Sequence, residues 1–189
     1  MKKIIPLFVL LMAVAIVLPA CSDDDDNDYA TIYKDWNEQN AAWLAQKKEL
    51  KNPDGTPYYQ VIVPSWYPSG YVLIHYFNDR SETEGNLSPL YTSVVDVSYN
   101  GYDCEDVPFD SSMTQNAYGR PGVERFRCNG TIYGWTAALE EMRVGDTAEV
   151  IIPYEMAYGV TGTTGIKPYS NLRFNLRLYD IYRYEASPY

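Results

Sequence analysis

The segment Val107-Pro108-Phe109-Asp110-Ser111-Ser112 sets an ionisable carboxylate against an aromatic ring and follows it with two small hydroxyls. An aspartate so placed suits proton transfer, the wall of a polar pocket, or the capping of a turn. Proton transfer needs a partner, and neither a paired acid nor a histidine pair stands nearby. The single histidine, His75, lies inside Tyr71-Val-Leu-Ile-His-Tyr-Phe77, where a packed or edge position on a strand is expected. With one histidine and no Cys-x-x-Cys, a metal site has little to build from, and no metal or other cofactor is expected. The Gly-rich run Gly162-Thr-Thr-Gly-Ile-Lys-Pro-Tyr-Ser-Asn171 resembles a phosphate cradle only superficially. It leads into a strand rather than a helix and lacks the Lys-Ser/Thr ending.

The elements that must position these residues begin after an N-terminal leader. Lys2 and Lys3 precede an apolar run from Ile4 to Leu18 that ends in Leu18-Pro19-Ala20-Cys21. Residues 1–20 read as a secretory leader, because the run is short for a membrane span of about 20 residues. A small residue before cysteine resembles lipoprotein leaders, which implies a lipid anchor on Cys21. Residues 21–28, rich in aspartate, repel one another and bury nothing, so an extended tether is expected. Acidic runs at this position resemble surface-export signals of some Gram-negative lipoproteins; an outer-membrane lipoprotein on the periplasmic side or the cell surface is the expected location. The formal net charge of -10 argues against nucleic acid, which requires clustered Lys and Arg. Cys104 and Cys128 would sit in a compartment that permits disulfides, and their pairing depends on a Cα separation the sequence leaves open.

Residues 29–52 predict a helix, with Ile32, Trp36, Trp43 and Leu50 along one face and Asn52-Pro53 ending it. Residues 53–189 form one domain, in which short apolar runs broken by proline and glycine predict strands. Val95, Val97 and Tyr99 alternate with Asp96 and Ser98, and Leu172, Phe174, Leu176 and Leu178 alternate with Asn171, Arg173, Asn175 and Arg177. Each set should face one buried side of an antiparallel sheet. Trp135, Ala138, Leu139 and Met142 give one short helix an apolar stripe, and Gly145 suits the position past its end. The fold class is α+β, an antiparallel sheet wrapped around one short amphipathic helix and preceded by an N-terminal helix.

From about Tyr91 to Tyr182 an ordered series recurs: strand Tyr99, Phe109-Asp-Ser-Ser112, Ile132-x-Gly-Trp135 opening a helix, Met142-x-x-Gly145, Ala157-Tyr-Gly159 and Leu172-x-Phe174. This series resembles the FK506-binding-protein type of peptidyl-prolyl cis-trans isomerase. The resemblance implies an active pocket lined by Tyr99, Phe109, Asp110, Ile132, Trp135, Tyr158 and Phe174, with Phe126 and Ile166 as further substrate contacts. Trp135 would floor it under a proline ring, the Ile132 N–H would receive a substrate carbonyl, and Tyr158 would bond from the rim. Asp110 would be an electrostatic part of the wall oriented by the Tyr99 hydroxyl; capping a turn with Ser111 and Ser112 is the alternative.

The chemistry fits such residues. Rotation about X–Pro faces a barrier of about 18–20 kcal/mol and needs no nucleophile, metal or acid. Three functions follow as expectations: an isomerase acting on proline-containing polypeptides of the envelope, a non-catalytic peptide-binding module or chaperone of the same fold, and an adhesion or glycan-binding lipoprotein. The last leaves the ordered series unexplained. Oligomeric state stays open.

Overall fold

The computed structural model describes residues 25–117 and 119–182. The leader, Cys21 and the first residues of the acidic run therefore lie outside the described residues. Two helices open the chain, α1 (Asp25–Ile32) and α2 (Lys34–Glu49). The helical region thus starts before residue 29, so the last part of the expected extended tether belongs to α1. The region is broken at Tyr33, whose backbone leaves the helical range (φ -103°, ψ 18°).

The buried face of α2 also differs from the expectation. Ile32 and Leu50 are exposed, whereas Trp36 and Asn40 are buried and Trp43 and Leu44 half-buried. Spacings of seven drift around a straight helix, and Ile32 and Leu50 fall beyond the two ends of α2; four, seven and eight residues from Trp36 is the face that stays aligned.

The strands are β1 (Gln60–Ile62), β2 (Val72–Tyr76), β3 (Val94–Tyr102), β4 (Pro108–Ser111), β5 (Asn116–Ala117), β6 (Arg120–Pro121), β7 (Glu124–Arg127), β8 (Thr147–Ile152) and β9 (Leu172–Tyr182). Seven of them form one antiparallel sheet in the order β1-β2-β8-β9-β3, and the far edge of β3 is shared. β7 pairs with its first half, Val94 to Val97, and β4 with its second, Asn100 to Tyr102. The two edge strands diverge around Tyr99, whose N–H donates to Ser112 Oγ (2.9 Å). That split opens the sheet where the site lies.

Helix α3 (Tyr133–Glu141) packs on one face, with Trp135, Ala138, Leu139 and Met142 all buried against Val95, Val97, Tyr99, Leu172, Phe174, Leu176 and Leu178. Gly134 allows the close approach, since a Cβ there would collide with Ile152. The helix ends by an extended Met142, and Gly145 sits further on, at φ +100°, in the turn before β8.

The other face is not wet throughout. Leu73, Ile151 and Tyr59 form a second buried cluster under Trp43 and Leu44 of α2, which explains why Val72, Leu73 and Ile74 are apolar without alternation. Asp96 is buried too, held by the Arg125 guanidinium at 2.5 and 2.8 Å. Asn171 precedes β9 and is buried, contrary to its outward expectation. Cys104 and Cys128 are both buried free thiols. His75 stacks on Tyr58 (3.7 Å between centroids) on this side of the sheet, away from the pocket described next.

Candidate active site

Trp135 enters the sheet face from the first turn of α3. Three rings meet it edge to face: Tyr99 of β3 at 4.9 Å, Phe174 of β9 at 5.3 Å and Phe126 of β7 at 5.4 Å between centroids. Such pairs fix ring directions as well as burying area. Its indole N–H is buried without a nitrogen or oxygen acceptor among the described residues. Above the indole lies a cavity of about 200 Å³ lined by Tyr99, Asp110, Phe126, Gly130, Thr131, Ile132, Trp135, Tyr158 and Phe174. It is smaller than the roughly 300–1,000 Å³ usual for drug-sized ligands and suits one small ring.

The rim is polar on two sides. Ile132 caps α3 in an extended conformation (φ -61°, ψ 150°), so its N–H belongs to the unpaired donors of a helix start and has no acceptor among the described residues. The positive end of the α3 dipole points the same way. Opposite, the Tyr99 hydroxyl stands 3.0 Å from Asp110 Oδ2 and 3.2 Å from Glu124 Oε2, and its one proton serves either carboxylate at a time. Burial, then the charge of Asp110, pushes the Tyr99 phenol far above its ordinary range, so it stays a neutral donor. Asp110 also accepts the Ser111 N–H through Oδ1 (2.8 Å). That bond lies within β4, and Ser112 Oγ is engaged instead with the Tyr99 N–H and Gly122 O (2.9 and 2.7 Å). Burial first, and Asp110 second, also raises the Tyr158 phenol, which is 36% exposed at the mouth.

Seven of the residues expected at the site thus line one cavity: Tyr99, Asp110, Phe126, Ile132, Trp135, Tyr158 and Phe174. Phe109 and Ile166 do not. Phe109 braces the wall from behind, meeting Phe174 edge to face at 5.5 Å, and Ile166 is buried in the core. Both open instead onto a neighbouring cavity of about 310 Å³ that Trp36 and Lys167 also line. For Phe109 the reason is the strand pleat: Phe109 and Asp110 are consecutive on β4, and only one of two consecutive side chains can face the pocket directly. Gly130, Thr131 and Glu124 were missed. Thr131 and Gly130 belong to the 3-10 turn that carries the chain into α3, and the Tyr99–Glu124 pair follows from the split edge, which leaves no local pattern.

The sequence profile of the FKBP-type peptidyl-prolyl cis-trans isomerases matches residues 86–179. The macrophage infectivity potentiator of Trypanosoma cruzi is 41% identical over 115 residues, 60% of this chain and 54% of that protein. The FKBP-type peptidyl-prolyl cis-trans isomerase FkpA of Escherichia coli K12 is 37% identical over 94 residues, 50% of this chain and 33% of that one. The chain therefore spans about half the length or less of these relatives. In fold it is similar to the crystal structure of a peptidyl-prolyl cis-trans isomerase from Pseudomonas syringae pv. tomato (TM-score 0.62, 23% identity), covering 80% of this chain and 96% of that one. Through residues 86–179, which contain the β3 tyrosine, the split edge and the whole α3 floor, the chain belongs to the FKBP-type peptidyl-prolyl cis-trans isomerase family.

Proposed function

We propose that the chain is a peptidyl-prolyl cis-trans isomerase that turns X–Pro bonds by binding the proline over Trp135, without covalent chemistry. The observation that carries it is the cavity of about 200 Å³ floored by Trp135 and walled by Tyr99, Phe126 and Phe174, with an unpaired Ile132 N–H at its rim. In the twisted transition state the amide has lost conjugation and much of its dipole, so an apolar, water-poor wall favours it over the planar ground state. The Ile132 N–H receives the carbonyl of the flanking residue, Tyr158 bonds from the mouth, and Phe109 and Ile166 keep the wall upright from behind. Asp110 and Glu124 hold the Tyr99 hydroxyl at the edge of the cavity.

The magnitude constrains how these parts share the work. Bringing a process of tens of seconds to milliseconds is about 10⁴-fold, or roughly 5–6 kcal/mol. One neutral hydrogen bond supplies about 0.5–1.5 kcal/mol, so shape, desolvation and carbonyl orientation act together.

The location follows from the leader. Residues 1–20 are removed, Cys21 takes a lipid, and residues 53–189 work as the isomerase domain on exported polypeptides at the outer membrane, with residues 29–52 as its helical extension. A second reading, peptide holding without turnover, draws on an aromatic cluster beside Ile132: Trp66 lies 5.6 Å from Tyr91 and 5.8 Å from Tyr133, and both tyrosines are exposed. A protease-free assay of cis-to-trans conversion of a proline tetrapeptide separates the two. Acceleration that falls in Tyr158→Phe and Asp110→Leu, with the fold intact, supports the isomerase. Peptide binding with no acceleration moves the reading to the holding module.

A further inference from the structure

The connection from β8 to β9, residues 153–171, carries Tyr158 to the mouth of the cavity and Ile166 behind its wall. It contains Gly159, Gly162 and Gly165, all at positive φ, and would be loose if left to itself. Its neck is tied: Asn171 Oδ1 accepts the Tyr154 N–H (2.9 Å), and the Tyr169 N–H donates to Gly159 O (3.1 Å). Tyr169 sits at φ +61°, a conformation a non-glycine residue keeps only where its surroundings impose it.

The residues on either side of Tyr169 are held by α2. The Asn171 N–H donates to Asn40 Oδ1 and its side-chain amide to Asn40 O, both at 2.8 Å, while Asn40 Nδ2 donates to Trp36 O at 2.9 Å. The Trp36 indole donates to Ser170 Oγ at 3.0 Å, and that hydroxyl donates to Lys167 O at 2.8 Å. The Lys167 ammonium stands 3.9 Å above the Trp36 ring. Asn40, Ser170 and Asn171 are buried. An asparagine inside a helix is a poor choice by propensity, and a buried one is tolerated only when its amide is bonded. Here every polar atom of its side chain is used on the loop neck or the preceding turn.

We infer that α2 is a positioning element of the peptide site: Asn40 and Trp36 hold residues 153–171, and with them Tyr158, in the arrangement that receives a proline peptide. The inference rests on the function proposed above. A loop held in place presents its rim before the peptide arrives. A loop released from α2 spends only a fraction of its time in the competent arrangement, and the apparent Kd rises by the inverse of that fraction.

The test uses the full chain with Asn40→Ala and Trp36→Phe, the second keeping a ring beneath Lys167 while removing the bond to Ser170. Amide exchange of residues 154–169, the Kd of a fluorescent proline tetrapeptide, and kcat and KM for its isomerisation are read at a temperature where all variants are folded. Asn40→Ala is expected to speed exchange in that segment while β3 amides hold. Its Kd and KM rise about tenfold, as for a loop competent about a tenth of the time, with kcat within about twofold; Trp36→Phe falls between it and the parent. Unchanged loop exchange and unchanged Kd in both variants, with only a lower unfolding temperature, would overturn the inference. A parent chain that binds the peptide without turning it over defeats the isomerase reading alone, since Kd and exchange still decide the role of α2. A parent that neither binds nor turns over the peptide defeats both.

Discussion

Gly101 of β3 stands opposite Phe174 on β9 and Asp110 on β4, behind the aromatic wall rather than in the cavity. A Cβ added there would lie 2.7 Å from Phe174 Cε1 and 2.8 Å from Phe109 Cζ. Carbon atoms pack at about 3.5–4.0 Å, so in Gly101→Ala the two rings must withdraw by about 0.7–1.3 Å. Phe174 has little room, being buried with Trp135 edge-on at 5.3 Å. Overpacking of this kind costs about 1–3 kcal/mol, which at about 2–4 °C per kcal/mol for a chain of this length lowers the melting temperature by about 2–12 °C. The same withdrawal moves the wall against which the proline turns. If about a quarter of the required 5–6 kcal/mol is lost, kcat/KM falls about tenfold. Thermal unfolding and the protease-free tetrapeptide assay read the two effects. Gly85→Ala is the control, because an added Cβ there meets nothing within 4 Å and its cost comes only from a left-handed backbone (φ +85°) that Gly101, a strand residue, does not share. It should cost about 1–2 kcal/mol in stability and nothing in activity. Full kcat/KM in a folded Gly101→Ala chain would refute the claim that the Phe109–Phe174 wall carries the transition-state preference.

Tyr99→Phe removes the donor shared by Asp110 and Glu124. At this half-open rim the expected loss in kcat/KM is about fivefold, or about 1 kcal/mol, with the unfolding temperature little changed. Asp146 is buried and accepts from Thr83 Oγ1 (2.7 Å), Asn78 Nδ2 (3.1 Å) and the Arg143 N–H (2.8 Å); Asp146→Ala should lower stability by about 2–4 kcal/mol in denaturant titration while the folded fraction keeps its kcat/KM. Burial, assisted by Asp103 and Glu105 at Cys104 and by Glu140 at Cys128, pushes both thiols from 9.0 up to about 11. In a Cys21→Ser chain neither should react with a thiol reagent near pH 8 until denaturant is added, and both should react then. Because the folded chain holds these protons more tightly than the unfolded one, stability is complete below about pH 9 and is lost as pH climbs toward 11. The Tyr99 phenol adds to the loss above about pH 10. A denaturant midpoint that stays level between about pH 9 and 11 would contradict that burial.

Much of the fold can be read from residues whose neighbours are local. The stripe of Trp135, Ala138, Leu139 and Met142 and the alternation of Leu172, Phe174, Leu176 and Leu178 depend only on helix and strand periods, and all eight are buried as expected. The cavity is legible for a related reason, since its floor, Trp135, and one wall, Phe174, come from those same periodic faces and a second wall, Tyr99, from the like alternation of β3. What the periods do not contain is pairing across the chain. Asn40 and Asn171 are 131 residues apart and meet only because α2 lies across the loop neck. Glu124 reaches Tyr99 because β4 and β7 share one edge of β3, a property of topology rather than of either strand. Ile32 and Leu50 were misplaced because the break at Tyr33 and the end of α2 are decided by docking, not by apolar spacing. Phe109 and Ile166 stand one layer behind the surface, and a linear motif does not separate a ring that touches the peptide from one that supports it.

The most direct test of the central claim, that an aromatic pocket turns the bond without moving a proton, is the pH and solvent-isotope dependence of isomerisation. Catalytic amounts of the chain are added to a proline tetrapeptide, and the cis–trans exchange rate is followed by NMR in H2O and D2O between about pH 6 and 9. The account predicts acceleration with kcat/KM level across that range and the same in both solvents. A bell-shaped profile, a sizeable isotope effect, or no acceleration by the folded chain would contradict it.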